Sequence, residues 1–197
     1  MRKGITFIIL LLISSLSFGQ EGSAETENVA VPEPFSGTVT YSIFWQGPNT
    51  ALWADHLPDS MELTTSNGNL QVKVFGGNAS QLIQEYLWFQ ENGQFYLVDH
   101  KNQVLYTDPQ GTAPVKLRKQ PLSSNEDQEI LGHACKGYRF SGNGNPDTYW
   151  LAADLPLAIG EVPDSVYQPP FIDPDLKLLP LQMVCNVVGC KSTTVAT

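Results

Sequence analysis

Positive charge is what this chain has least of: 11 Lys and Arg stand against 20 Asp and Glu in 197 residues, a formal net charge of −9. Nucleic-acid binding rests on Lys and Arg neutralising phosphates, so this balance excludes that partner class. Docking on an anionic membrane surface is excluded for the same reason. Charge of either sign is thin, at 16% of residues. A helical bundle would carry many charged residues on its solvent faces, whereas 16 Gly and 14 Pro suit a turn-rich β protein. Catalytic and metal motifs are missing too. There is no Gly-x-Ser-x-Gly nucleophile elbow, no Cys-x-x-Cys and no His-x-x-x-His. His56, His100 and His133 lie far apart in the chain. His133 and Cys135 share a strand face and Cys185 can join them, but a disulfide or a packed thiol is the simpler reading. No metal and no cofactor are expected.

What the chain does have begins at its start. Arg2 and Lys3 precede an almost unbroken apolar run, Ile5 to Leu16, and Ser17-Phe18-Gly19 ends in small residues. That is the order of a cleaved secretory signal: basic start, apolar run, small-residue cut site. The run is shorter than the ~20 residues that span a bilayer, so no membrane segment is expected after cleavage. Residues 1–19 are therefore read as a signal peptide, and residues 20–35 as an acidic leader without apolar period. Residues 36–197 are read as one β domain, a length that suits a single core. No cysteine follows the cut to carry a lipid anchor, so the expected location is periplasmic or secreted.

Within the domain, short alternating segments follow one another. Thr38 to Trp45 is β-branched and aromatic and predicts a strand that Gly47-Pro48-Asn49 ends. Met61–Thr64 and Leu70–Val74 flank Asn67-Gly68, a hairpin turn pair that accepts positive φ. Residues 79–85 allow one helical turn, and strands follow at 86–89, 95–98 and 104–107, with a turn at Asn92-Gly93. Val115-Lys116-Leu117 is a candidate edge strand, and further strands are expected at 135–140, 148–151, 181–185 and 191–195. Regular short strands of this kind predict one antiparallel sheet curving on itself. Pro156, Pro163, Pro169, Pro170, Pro174 and Pro180 argue against regular structure through most of 155–180.

Cys135, Cys185 and Cys190 allow three pairings, and an exported chain favours one disulfide with one thiol left over. A continuous strand would hold Cys185 and Cys190 about 16 Å apart at ~3.3 Å per residue, too far for a bond. A hairpin turning at 186–189 would instead bring them face to face, and Cys185–Cys190 is the expected pair.

The segments ILGHACKGYRF (130–140), TYWLAADLPL (148–157) and LLPLQMVCNVVG (178–189), with GTVTYSI and FYLVDHKNQVLYTD (95–108), carry a family resemblance. The chain resembles the exported GLPGLI-type proteins and related uncharacterised families of Bacteroidetes, across roughly residues 37–195. The doubled GLPG tetrapeptide itself is absent, leaving Leu179-Pro180-Leu181. The resemblance implies an all-β fold with minor helix. It would be a curved antiparallel sheet or half-open β-barrel similar to the periplasmic lipoprotein carriers (LolA-like). It implies no reaction.

Aromatic residues supply the remaining signal. Neighbours such as Trp88-Phe89 and Tyr149-Trp150 point to opposite faces of a sheet, so one of each pair fills the core and the other meets an outer or concave surface. Trp45, Trp88, Tyr149 and Trp150 are the expected lining of a concave apolar cleft. The favoured function is non-enzymatic binding of a lipid or other hydrophobic small molecule, or of an envelope protein. One alternative is a hydrolase using Glu161, Asp164, Asp173 and Asp175 of the 161–175 loop. The other is an assembly or adhesion module pairing through an exposed strand edge near 191–197.

Overall fold

The computed structural model describes residues 32–77, 85–107, 118–123, 126–141, 146–159, 176–187 and 189–197. The expected signal peptide and most of the expected leader lie outside them. So do the expected helical turn at 79–85, apart from Glu85, the candidate strand at 115–117 and the carboxylates of the 161–175 loop. Twelve antiparallel strands form one sheet. They are β1 (Gly37–Gln46), β2 (Ser60–Ser66), β3 (Asn69–Phe75), β4 (Glu85–Phe89), β5 (Gln94–Asp99) and β6 (Val104–Thr107). The others are β7 (Arg118–Pro121), β8 (Gln128–Ile130), β9 (His133–Ser141), β10 (Asp147–Pro156), β11 (Leu178–Val187) and β12 (Cys190–Ala196). Their order is β6-β5-β4-β3-β2-β1-β12-β11-β10-β9-β7, with β8 also on β9. The sheet is curved and not closed, as expected. A short helix α1 (Thr50–Trp53) and a single 3₁₀ turn (Ala54–His56) sit in the β1–β2 connection.

Turn chemistry sets the registers. Asn67 (φ 50) and Gly68 (φ 79) both take the left-handed region, and Ser66 faces Asn69, so the hairpin is a two-residue turn whose twist matches its strands. Leu131 (φ 54) and Gly132 (φ 83) do the same between Ile130 and His133. β12 is paired along both sides, with β1 and with β11, so the strand edge expected near 191–197 does not exist. A two-residue connection joins β11 to β12, because Val187 faces Cys190 and Cys185 faces Ser192. The expected Cys185–Cys190 bond does not form: the turn is tighter than 186–189, and the two residues become diagonal neighbours. A diagonal separation of ~7–8 Å exceeds what a disulfide spans. Cys135, Cys185 and Cys190 are all free thiols.

One face of the sheet is the inner one. Tyr41 faces Met61 on one side and Ala196 on the other, Leu63 faces Val72, and Thr65 faces Leu70, all buried. Alternation then puts Val39, Tyr41, Ile43 and Trp45 of β1 inward and Thr38, Thr40, Ser42 and Phe44 outward. At one end of this face the chain builds a floor. β11 bulges at Leu181, opposite Trp150 and Leu151, and β10 bulges between Leu151 and Pro156 and then runs on beyond the sheet. Leu157 bridges Phe35 and Ile159 bridges Gly68, both parallel. The Phe35 amide donates to the Pro156 carbonyl at 2.6 Å, and the Leu157 amide to the Lys177 carbonyl at 2.6 Å. Thr65 Oγ1 donates to the Phe35 carbonyl at 3.0 Å. Leu157 and Ile159 are buried in consequence, and with Leu63, Leu70, Leu151, Leu179 and Leu181 they make the core.

Candidate functional site

At the other end of the inner face the same alternation continues, and there several side chains are only half-buried. Trp45 faces Ser192, and Ser192 faces Cys185, so these three form a row across β1, β12 and β11. The next row toward the floor is Ile43, Thr194, Met183, Tyr149 and Tyr138. On the far wing Val74 and Tyr86 also point inward, because they face Met61 and Val72, but they lie in the Tyr41 and Leu63 rows nearer the floor. Ile43, Trp45, Val74, Tyr86, Tyr138 and Cys185 are intermediate in burial, whereas Tyr149, Met183, Thr194 and Ser192 between them are buried.

A titratable cluster lies within this region. Asp147 begins β10 two residues before Tyr149, and its Oδ1 accepts the Asn186 amide at 3.1 Å. Burial raises the Asp147 carboxyl above its ordinary range, and the Asn186 amide pulls part of the way back. The Cys185 thiol is pushed up to about 12, first by burial and then by the Asp147 charge, against a hydrogen bond from the Tyr149 hydroxyl. Tyr149 is raised as well, chiefly by burial, with Cys185 and Asp147 adding to it. Each shift favours the neutral form, so the cluster is protonated more readily than its parts in water. A thiol held protonated is a poor nucleophile, which argues against covalent chemistry at Cys185.

Of the four aromatic residues expected to line one cleft, Trp45 and Tyr149 lie in neighbouring rows of the inner face, three strands apart. Trp45 lies at the open end, its indole N–H donating to the Pro58 carbonyl at 2.6 Å. Tyr149 lies one row deeper and is buried, stacked at 4.8 Å on Phe140. Trp88 is on the same face but in the β4 wing, 1% exposed and packed 4.8 Å from Phe95, so it is core rather than lining. Its Nε1 is buried without a hydrogen-bond partner among the described residues. Trp150 is on the opposite face. It faces Gly137, over which Leu122 packs, and its indole N–H donates to the Glu126 carbonyl at 2.9 Å. The segment after β7 therefore covers Trp150 from outside. Asp147 is the residue that sequence reading missed; its signal was inward parity with Tyr149 at the head of the same strand.

Two other polar pairs lie outside this face. Glu85, 6% exposed, accepts from Gln71 Nε2, and its Oε2 lies 2.7 Å from His100 Nε2. Register opposite Lys73 puts it on the outer face. His133 Nδ1 lies 2.8 Å from Asp154 Oδ2, and that hydrogen bond lowers the Asp154 carboxyl. No group of three His, Cys, Asp or Glu converges on a metal-sized point among the described residues. No helix among them is long and apolar enough to cross a membrane.

No known protein family matches this chain, and no curated protein does. A solved structure of PNGF-II is similar in fold, with a TM-score of 0.50 and 19% identity over 81% of this chain. The chain spans about a quarter of that protein's length (26%). At this identity the likeness concerns the fold alone.

Proposed function

We propose that this protein is an exported, non-catalytic binding protein of the cell envelope that holds an apolar ligand on the inner face of its sheet, beyond the sealed floor. One observation carries the reading. Ile43, Trp45 and Tyr138 are apolar or aromatic, point inward from β1 and β9 at the open end, and remain half-buried against the packed core. An apolar concave surface with a few polar groups at one edge is the usual form of a small-molecule site. Asp147, Ser192 and the Cys185 thiol supply that polar edge and suit a neutral, hydrogen-bonding end group on an otherwise apolar ligand. Export is inferred from the Arg2-Lys3 start and the apolar run after it. Kinship with the GLPGLI-type and lipoprotein-carrier-like proteins is proposed on the motifs alone.

Native mass spectrometry of the gently purified protein, before and after organic extraction, is the test. The expected result is an adduct of lipid-like mass that leaves on extraction, and a stripped protein that binds a fluorescent acyl probe. Trp45→Ala weakens that probe binding several-fold. A bare protein whose stripped form also ignores the probe overturns the reading and shifts weight to an envelope protein as partner.

A further inference from the structure

The geometry points to a binding site for a neutral saccharide on the outer side of the sheet, between the β2–β3 and β4–β5 turns. A shallow cavity of about 420 Å³ opens there, lined by Asn67, Asn69, Phe89, Gln90 and Glu91. Phe89 is 39% exposed. Register puts it on the outer face, because it follows Trp88, which faces Leu70 on the inside. A single exposed ring is ordinary on a protein surface, but this one is held in place. It stands edge to face with Tyr96, the ring centroids 5.7 Å apart. Asn92 Nδ2 donates to the Tyr96 hydroxyl at 2.9 Å, and that hydroxyl donates to Gln94 Oε1 at 2.9 Å. The Gln94 amide donates to Asn92 Oδ1 at 3.1 Å, which closes a ring of hydrogen bonds at the tip of Tyr96. The polar lining is fixed as well. The Gln90 amide donates to Asn69 Oδ1 at 2.9 Å and ties the two turns together. Gly68 lies against the Gln90 side chain, where any Cβ would collide with it.

The chemistry of the lining selects the ligand. Asn69 Nδ2, the side-chain amides of Asn67 and Gln90 and the Glu91 carboxylate have no hydrogen-bond partner among the described residues. They offer donors and acceptors in one patch, with one carboxylate and no cation. The nearest Lys along these strands is Lys73, four residues from Asn69 on β3 and ~13 Å away at ~3.3 Å per residue. It stands between Glu62 and Glu85, which face it from either side. The cavity therefore holds no group that would retain an anion. One ring is also too little apolar surface to anchor a protein partner. A sugar ring fits both halves of the site. Its C–H face, slightly positive, meets the electron-rich face of Phe89, while the hydroxyls around its edge pair with the amides. Two neighbouring hydroxyls can donate together to the Glu91 carboxylate. This site is on the opposite side of the sheet from the proposed apolar ligand and does not rest on that reading.

Affinity electrophoresis in native gels tests it, with β-glucan, mannan, xylan and starch in separate gels and polygalacturonate as the anionic counterpart. The wild type is expected to be retarded by at least one neutral polysaccharide and to run freely with polygalacturonate. Phe89→Leu keeps apolar bulk without a ring and weakens the retarding affinity about threefold to tenfold, the range that loss of a ring contact implies. Phe89→Trp keeps the ring and keeps the retardation. Gln90→Ala lowers it with the ring untouched. Melting temperature and acyl-probe binding stay at the wild-type level in all three variants, so loss of sugar binding is read apart from unfolding and from the inner face. Free migration of the wild type in every neutral gel overturns the proposal. Equal retardation of Phe89→Leu, or stronger retardation by polygalacturonate than by any neutral polymer, overturns it too.

Discussion

The two ends of the inner face share one strand alternation and differ in what lies across them. At the floor, Phe35 and residues 157–159 cross from β10 to the β2–β3 turn, and Leu63, Thr65 and Leu70 beneath are buried, with Val39 half-buried beside them. At the open end, Ile43 and Trp45 continue the same parity on the same strand and stay half-buried. Alternation fixes which way a side chain points; depth is fixed by a segment remote in sequence. One sheet face can thus carry fully buried and half-buried side chains without any change in residue type.

The largest test of this contrast is a pair of truncations on that face. Leu63→Ala empties a fully buried position at the floor and should cost about 2–5 kcal/mol of unfolding free energy. Ile43→Ala, near the open end, should cost less than half as much, because less surface is buried there and water or neighbours can fill the space. Urea unfolding of both variants checks the difference. Equal losses would mean that the open end is as tightly packed as the floor, and the proposed ligand surface would go with it.

A smaller effect sharpens how the floor is tied. The Tyr41 hydroxyl donates to the Pro180 carbonyl at 2.8 Å, reaching across β12 from β1 to β11. Both residues are fully buried, and burial alone drives the Tyr41 hydroxyl far above its ordinary pKa, so it stays a neutral donor. Tyr41→Phe keeps the ring and leaves the Pro180 carbonyl unpaired, at a cost of about 1–3 kcal/mol. A neutral result by the same unfolding measurement would mean that water replaces the hydroxyl, and that the floor is less dry than its packing implies.

Much of this architecture was legible in the residues. Alternation in Thr38–Trp45 and Leu70–Val74, with Asn67-Gly68 between strands, specifies both the strands and a hairpin register. What stayed hidden depends on long-range closure. The Trp88-Phe89 and Tyr149-Trp150 pairs announce one inward and one outward ring, but only the pairings of Trp88 with Leu70 and Tyr149 with Met183 decide which is which. Trp150 then turns out to be covered from outside by Leu122 and Glu126, residues about 25 positions away in a segment with no strand signal. Helix α1 escaped notice because four residues give no period, and Gly47-Pro48-Asn49 reads as a break. The cysteine pairing failed on a turn tighter than the four residues expected, which is enough to turn facing residues into diagonal ones.

The gentlest probe concerns two carboxylates of the same strand whose pKa values move in opposite directions. Asp147 is raised by burial at the open end, and Asp154 is lowered by His133 on an exposed surface. For Asp147 the folded protein holds its proton more tightly than the unfolded chain does. Between the ordinary carboxylate pKa of about 3.9 and the raised folded value, the folded state therefore binds more protons, and stability falls as pH rises through that window. Asp147→Asn removes the penalty and keeps an oxygen for the Asn186 amide, so it should raise the melting temperature at neutral pH and change nothing well below the window. Asp154 has the reverse sign: its contribution is present above the ordinary carboxylate pKa and is lost as pH falls through the lowered folded value. Asp154→Asn should accordingly lower the melting temperature slightly at neutral pH, the effect being small because the pair is exposed. Melting curves of the two variants across the acidic range separate these cases. If Asp147→Asn destabilises at neutral pH, the ionised carboxylate is held by something at the open end, and the polar edge proposed for a neutral ligand group would instead suit a cationic one.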